Sequence, residues 1–156
     1  MIKLTAILRE IAENSGLIGP FYHETSEESV GSILKTGLKP HSLGHLSYPS
    51  VSLSPSQSSH GMYGGVTLQV WLTEDQFKKA MKNTLFSLGE QGDPEQKNLM
   101  QRYVSGLITP DEEEILIDMA LNDPDFAAGE IILFNTRIPA NQIKISKSVS
   151  YTHLRA

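Results

Sequence analysis

Residues 66–72, Val66-Thr67-Leu68-Gln69-Val70-Trp71-Leu72, carry an apolar side chain at every second position. Successive side chains of a strand point to opposite faces, so this period puts Val66, Leu68, Val70 and Leu72 on one side. The β-branched and aromatic content suits a pleated, half-buried surface. Directly after it the period changes. From Thr73 to Asn122 apolar residues recur at helical spacing, with Phe77, Ala80 and Met81 on one face and Leu99, Met100, Tyr103 and Val104 on another. Thr109-Pro110 ahead of Asp111, Glu112, Glu113 and Glu114 predicts a further helix start. Proline suits a first turn, and carboxylates favour the positive end of a helix dipole. Asp123-Pro124 ends that helix.

Short strands flank this helical block. Upstream, Pro20 leads into Phe21-Tyr22-His23-Glu24-Thr25, which reads as a strand. Thr25, with Glu28 three residues on, predicts a capping box for a helix carrying Val30, Ile33 and Leu34 and ending at Gly37. Residues 39–50 read as a loop and Val51-Ser52-Leu53-Ser54 as a strand. Ser56 to Tyr63 predicts a short helix, and Leu4, Ile7, Leu8 and Ile11 predict an amphipathic helix closed by Gly16. Downstream, Glu130-Ile131-Ile132-Leu133-Phe134 reads as a buried strand, and Ile143-Lys144-Ile145 follows a turn at Pro139 and Asn141. The expected class is α+β, in a single domain over 1–148. The last eight residues, 149–156, resemble a translated transposase sequencing adapter and are set aside as a scar.

Composition narrows the chemistry. The 156 residues include no cysteine, which excludes disulfides, thiolate zinc sites, Fe–S clusters and cysteine nucleophiles. Thirteen Lys and Arg face 18 Asp and Glu, a formal net charge of -5, so general binding to nucleic-acid backbone is not expected. A nucleotide-sized anion held by local groups remains compatible. No apolar run approaches the roughly 20 residues of a membrane span, and the expected location is cytoplasmic, away from membranes. His41 and His45 are four apart, but Ser-Leu-Gly between them disfavours a helix, so no metal is expected.

Several positions carry candidate chemistry. His23 and Thr25 share a strand face ahead of a helix N-terminus, where ring nitrogen, hydroxyl and free amides meet. Ser52 and Ser54 likewise share a face, without the Gly-x-Ser-x-Gly elbow of acyl-transfer hydrolases. His60-Gly61-Met62-Tyr63-Gly64-Gly65 has neither the P-loop ending nor the Rossmann spacing, but Tyr63 among glycines offers a stacking platform for a flat ligand. Glu130 follows Gly129 at the head of an apolar strand, where a carboxylate can stabilise positive charge or bond a sugar hydroxyl. All of His23, Ser52, Tyr63 and Glu130 are expected to line one cleft.

In this order the motifs resemble the ADP-ribosyltransferase superfamily. Tyr22-His23-Glu24-Thr25 with Ile33-Leu34-Lys35-Thr36-Gly37-Leu38 is similar to the family's opening, Val51-Ser52-Leu53-Ser54 to its second core strand, and Ser58 to Tyr63 to its short helix. Glu130 before a late strand, then Ile138-Pro139 and the strand Gln142 to Ile145, is similar to its closing hairpin. The resemblance implies split mixed or antiparallel sheets with flanking helices and NAD as substrate, without a metal. Glu130 and His23 would be catalytic; His23, Thr25, Ser52, Ser54 and Tyr63 would bind NAD. ADP-ribose would pass to a protein or nucleic-acid acceptor that the residues do not identify, nor do they separate a toxin or phage effector from a housekeeping enzyme. Two positions depart from the pattern. Glu24 replaces the usual Gly after the His, and Ala128 stands where arginine-directed members carry Glu or Gln, which disfavours an arginine acceptor. The alternatives are a non-catalytic ligand-binding or interaction domain on the same fold, an NAD glycohydrolase, and an NAD-dependent RNA phosphotransferase. The last is disfavoured because Lys35 and Lys39 are the only cations over 21–72.

Overall fold

The computed structural model describes residues 16–42, 48–55 and 65–146. The expected N-terminal helix, the helix from Ser56, Tyr63 and the tail 149–156 lie outside these residues. Within them the chain is α+β, built from two small antiparallel sheets and four α-helices. The elements run β1 (Leu17–Ser26), α1 (Glu27–Thr36), β2 (Ser50–Leu53), β3 (Gly65–Thr73), α2 (Glu74–Leu88), α3 (Pro94–Val104), α4 (Pro110–Asn122), β4 (Ile131–Phe134) and β5 (Ile143–Ile145). One sheet has the order β1-β3-β5 and the other pairs β2 with β4.

The period-two reading of 66–72 holds. Leu68, Val70 and Leu72 are fully buried and Val66 nearly so, while Gln69 and Trp71 on the opposite face are half-buried. Thr73 then stops the strand by starting α2. Its hydroxyl accepts the Gln76 N–H while the Gln76 side chain accepts the Thr73 N–H, satisfying two otherwise orphaned donors. Thr109 and Glu112 form the same reciprocal cap on α4, as the Thr-Pro-acidic run predicts. Glu112 also pairs with Arg102 of α3. Its carboxyl is held below the usual range, first by the Thr109 backbone and then by the Thr109 hydroxyl and Arg102. Phe77, Ala80 and Met81 of α2 enter the core together with Met100 of α3, Leu116 of α4 and Phe126. Phe21 of β1 stacks on Phe77, whose other edge meets Tyr103, joining sheet and helices through one aromatic row.

Two local expectations are corrected. Strand β1 begins at Leu17, before Pro20 rather than after it, because the register slips between Ile18 and Phe21 and pairing with β3 resumes on both sides. The cis Gly19–Pro20 bond lies in that slip. Thr25 does not cap α1. It and Ser26 are still paired with Val66 and Gly65, so the N-cap falls on Ser26, whose hydroxyl bonds Ser29 rather than a backbone amide. The first-turn carboxylates Glu27 and Glu28 still complement the dipole. Strand β4 starts at Ile131, leaving Glu130 extended at its mouth. Among the described residues no helix is long and apolar enough to cross a membrane.

Gly37 ends α1 as the sequence predicts, and the reason is steric. Its φ is +93°, and a Cβ there would lie 2.4 Å from the Ile138 carbonyl oxygen. That oxygen accepts the Leu38 N–H at 2.8 Å, a bridge that ties α1 to the segment before β5. Gly37→Ala is therefore expected to lower stability by about 2 kcal/mol or more. The urea midpoint should fall with little change in slope.

Candidate functional site

Strands β1 and β2 meet at one point. Tyr22 N–H donates to Ser54 O at 3.0 Å and Ser54 N–H returns to Tyr22 O at 2.7 Å. In an antiparallel ladder the next such pair would match Glu24 with Ser52. The bridge is isolated, however, and no second pair forms. The Ser52 carbonyl, which that pair would have used, instead accepts from Nδ1 of the His23 ring at 2.8 Å. A side chain thus completes the ladder where the backbone leaves it.

This contact sets the state of His23. A carbonyl oxygen only accepts, so Nδ1 carries the proton and Nε2 of the neutral ring is an acceptor. Burial pushes the imidazole pKa below its usual 6.5, the bond to Ser52 and the Glu24 charge oppose this, and nearby His41 adds to the lowering. The ring is therefore neutral at pH 7.

Ser52 also reaches the other way. Its hydroxyl donates to Oε2 of Glu130 at 2.8 Å, across 78 positions of sequence. Strand pairing prepares this contact, because β2 and β4 set Ser52 opposite Ile132, two residues past Glu130. A carboxylate has about four acceptor positions, and the serine hydroxyl occupies one of them.

Glu130 enters β4 from an unusual turn. Ala127, Ala128 and Gly129 have φ values of 53°, 59° and 86°, all left-handed. For alanine that conformation costs roughly 1–2 kcal/mol per residue. Three hydrogen bonds hold the turn: Ala127 N–H donates to Oε1 of the buried Gln96 on α3 at 3.2 Å, Ala128 N–H donates to Asp125 O at 3.1 Å, and Glu130 N–H donates to Ala127 O at 3.3 Å. Beyond Glu130, the outward N–H groups of Ile132 and Phe134 donate to the Thr84 hydroxyl and to the side-chain Oδ1 of Asn83 on α2, at 3.0 and 2.8 Å.

Beside this network lies an open cavity of about 280 Å³, bounded by His23 and Thr25 of β1, by Ser29 and Ser32 of α1, and by Lys39 and His41. Of the residues singled out in the sequence, His23, Ser52 and Glu130 form one hydrogen-bonded chain, and His23 and Thr25 share a cavity wall. Ser54 enters through its backbone, as the bridge to Tyr22. Tyr63 lies outside the described residues. The sequence names His41 only as a rejected metal ligand and Lys39 only as a scarce cation, and it assigns Gln96 no role; none of the three is expected at this site. His41 and Lys39 sit in a loop without periodicity, and Gln96 reads as an ordinary polar helix position. Among the described residues no three metal-ligating side chains gather.

Two outcomes follow from this geometry. Ala128 is exposed, so Ala128→Gly loses no packing and relieves the left-handed strain. Stability should rise by about 0.5–1 kcal/mol in urea titrations, whereas Ala128→Val should lower it. Because the folded His23 pKa is lowered, the unfolded chain binds more protons between that value and 6.5. Stability is therefore complete above pH 6.5 and is lost as pH falls through that window. His23→Asn, whose amide can donate to Ser52 without titrating, should flatten this slope of melting temperature against pH. Compared with protein-family models, curated proteins and solved structures, the chain matches none.

Proposed function

We propose that this domain is an NAD-dependent mono-ADP-ribosyltransferase. The observation that carries the reading is the chain His23–Ser52–Glu130, which sets a neutral imidazole acceptor and an oriented carboxylate on either side of one serine. Two antiparallel sheets that touch at a single bridge, with these groups where they separate, accord with the split-sheet arrangement that the motifs imply.

In this reading the cavity beside His23 takes part of NAD. Nε2 of His23 accepts a hydrogen bond from a ribose hydroxyl, and Lys39 supplies the local cation for phosphate. The bond from ribose C1′ to the nicotinamide nitrogen breaks, and its electron pair leaves with nicotinamide, which becomes neutral. Positive charge then spreads over C1′ and the ring oxygen. Glu130, held by Ser52, stabilises that charge and bonds the nicotinamide-side ribose hydroxyl. The acceptor's nucleophile forms the new bond to C1′ and releases its proton to solvent. Most of this demand is for orientation and one preorganised anion, not for a strong nucleophile. The carboxylate gains most of its interaction as charge develops, so it acts on the transition state more than on bound NAD.

Nicotinamide release and NAD binding, followed by chromatography and calorimetry, test the assignment. Glu130→Gln keeps the size and removes the anion; turnover should fall by on the order of a hundredfold or more, with affinity little changed. Ser52→Ala should slow turnover less, because the carboxylate remains and loses only the Ser52 hydrogen bond. His23→Ala should weaken binding and turnover together. A Glu130→Gln protein releasing nicotinamide at the parent rate would reduce Glu130 to a strand-end charge.

A further inference from the structure

We infer that the outer face of α2 binds single-stranded nucleic acid, with phosphates held by Lys78, Lys79 and Lys82 and a base stacked on Phe86. The inference rests on this face alone and is independent of the reading of Glu130. Positions 78, 79, 82 and 86 follow helical three- and four-residue spacing and therefore share one side of α2. All three lysines are exposed and enter no ion pair among the described residues, whereas Arg102 is taken by Glu112; the Lys78 ammonium lies 6.0 Å from the centre of the Tyr103 ring. With Asp75, Asn83 and Val104 they line an open cavity of about 470 Å³. The chain as a whole carries a net charge of -5, whereas the lining of this cavity sets three lysines against the single carboxylate of Asp75. A net charge argues against phosphate binding everywhere, not at a patch of opposite sign.

The aromatic end of the face selects the kind of anion. Phe86 is 66% exposed and Tyr48 46% exposed, although both are large and apolar-bodied. Neither ring hangs loose. Both pack against buried Phe134, with centroids 5.9 and 5.2 Å away, Phe86 edge-on and Tyr48 tilted. Phe134 thus holds a two-ring surface at the end of the lysine row. Cations followed by exposed aromatic rings are the combination that holds backbone phosphates and stacks unpaired bases. An acidic peptide would use the lysines but not the rings, and a duplex keeps its base faces hidden.

The test is fluorescence anisotropy with dye-labelled single-stranded DNA and RNA of the same sequence, the matching duplex, and polyglutamate as competitor. At low salt the parent protein should bind at least one single strand; the comparison of DNA with RNA shows whether the 2′-hydroxyl contributes. Three phosphate contacts predict a log–log salt slope of about -2, so a fourfold rise in salt should weaken binding about twentyfold. Replacing Lys78, Lys79 and Lys82 together by Gln should abolish most of the binding and the slope. Phe86→Leu keeps apolar cover on Phe134 but removes the ring face; it should weaken binding about tenfold at an unchanged slope. Melting curves of both variants check the fold, and the substituted lysines are exposed, so parent-like curves are expected. No binding by the parent at low salt would overturn the inference, as would parent-like binding by the lysine variant. Equal affinity for the duplex, or equal displacement by polyglutamate, would also overturn it.

Discussion

The candidate site depends on the failure of one strand pair to continue. β1 and β2 make a single reciprocal bridge at Tyr22 and Ser54 and then separate. A carbonyl left at such a fork would be partly buried and unpaired, at a cost of roughly 1–3 kcal/mol. The His23 ring removes that cost by donating to Ser52. The separation leaves β1 free to follow β3 while β2 follows β4. It also opens the space between α1 and the sheet edge in which the cavity lies. The same residue that seals the fork therefore faces the cavity, and it is kept neutral by the burial that sealing requires.

The second sheet is only two strands wide, too little to be stable alone. Its support comes from α2, which buries Phe77, Ala80 and Met81 and offers Thr84 and Asn83 to the edge of β4 that β2 does not pair. Gln96 of α3 acts similarly one step earlier, at the left-handed turn. Glu130 thus lies between two backbone segments that are both fixed by side chains from the helical block. That block carries no recognisable catalytic set of its own, yet it determines where the carboxylate stands.

Much of this architecture was legible where the signal is local. Alternation in 66–72 and the Thr-initiated helices at 73 and 109 rest on interactions within a few residues; Gly37 is legible as a stop from residue type alone, although the contact that demands it is with distant Ile138. The start of β1 was misread because Pro20 argues locally for a boundary, whereas pairing with β3 carries the strand across it. The cap on α1 was misread for the same reason: Thr25 is a good capping residue, but the sheet claims it first. Individual site residues could be nominated from strand ends and neighbouring glycines. What the sequence could not show was that one serine would serve both His23 and Glu130, because that follows from register across 29 and 78 positions. Gln96 gives no local signal at all, since its task is defined only by the distant turn it holds.

The way α2 covers β4 has a further consequence for assembly. An outer strand with open amide groups invites another chain to extend the sheet. Here the amides of Ile132 and Phe134 are already occupied by Thr84 and Asn83, the first bond being buried. A visiting strand would have to displace a packed helix before gaining its first backbone bond. Recognition at this flank is thereby moved from main chain to side chains, and the domain is protected there from self-templated sheet growth.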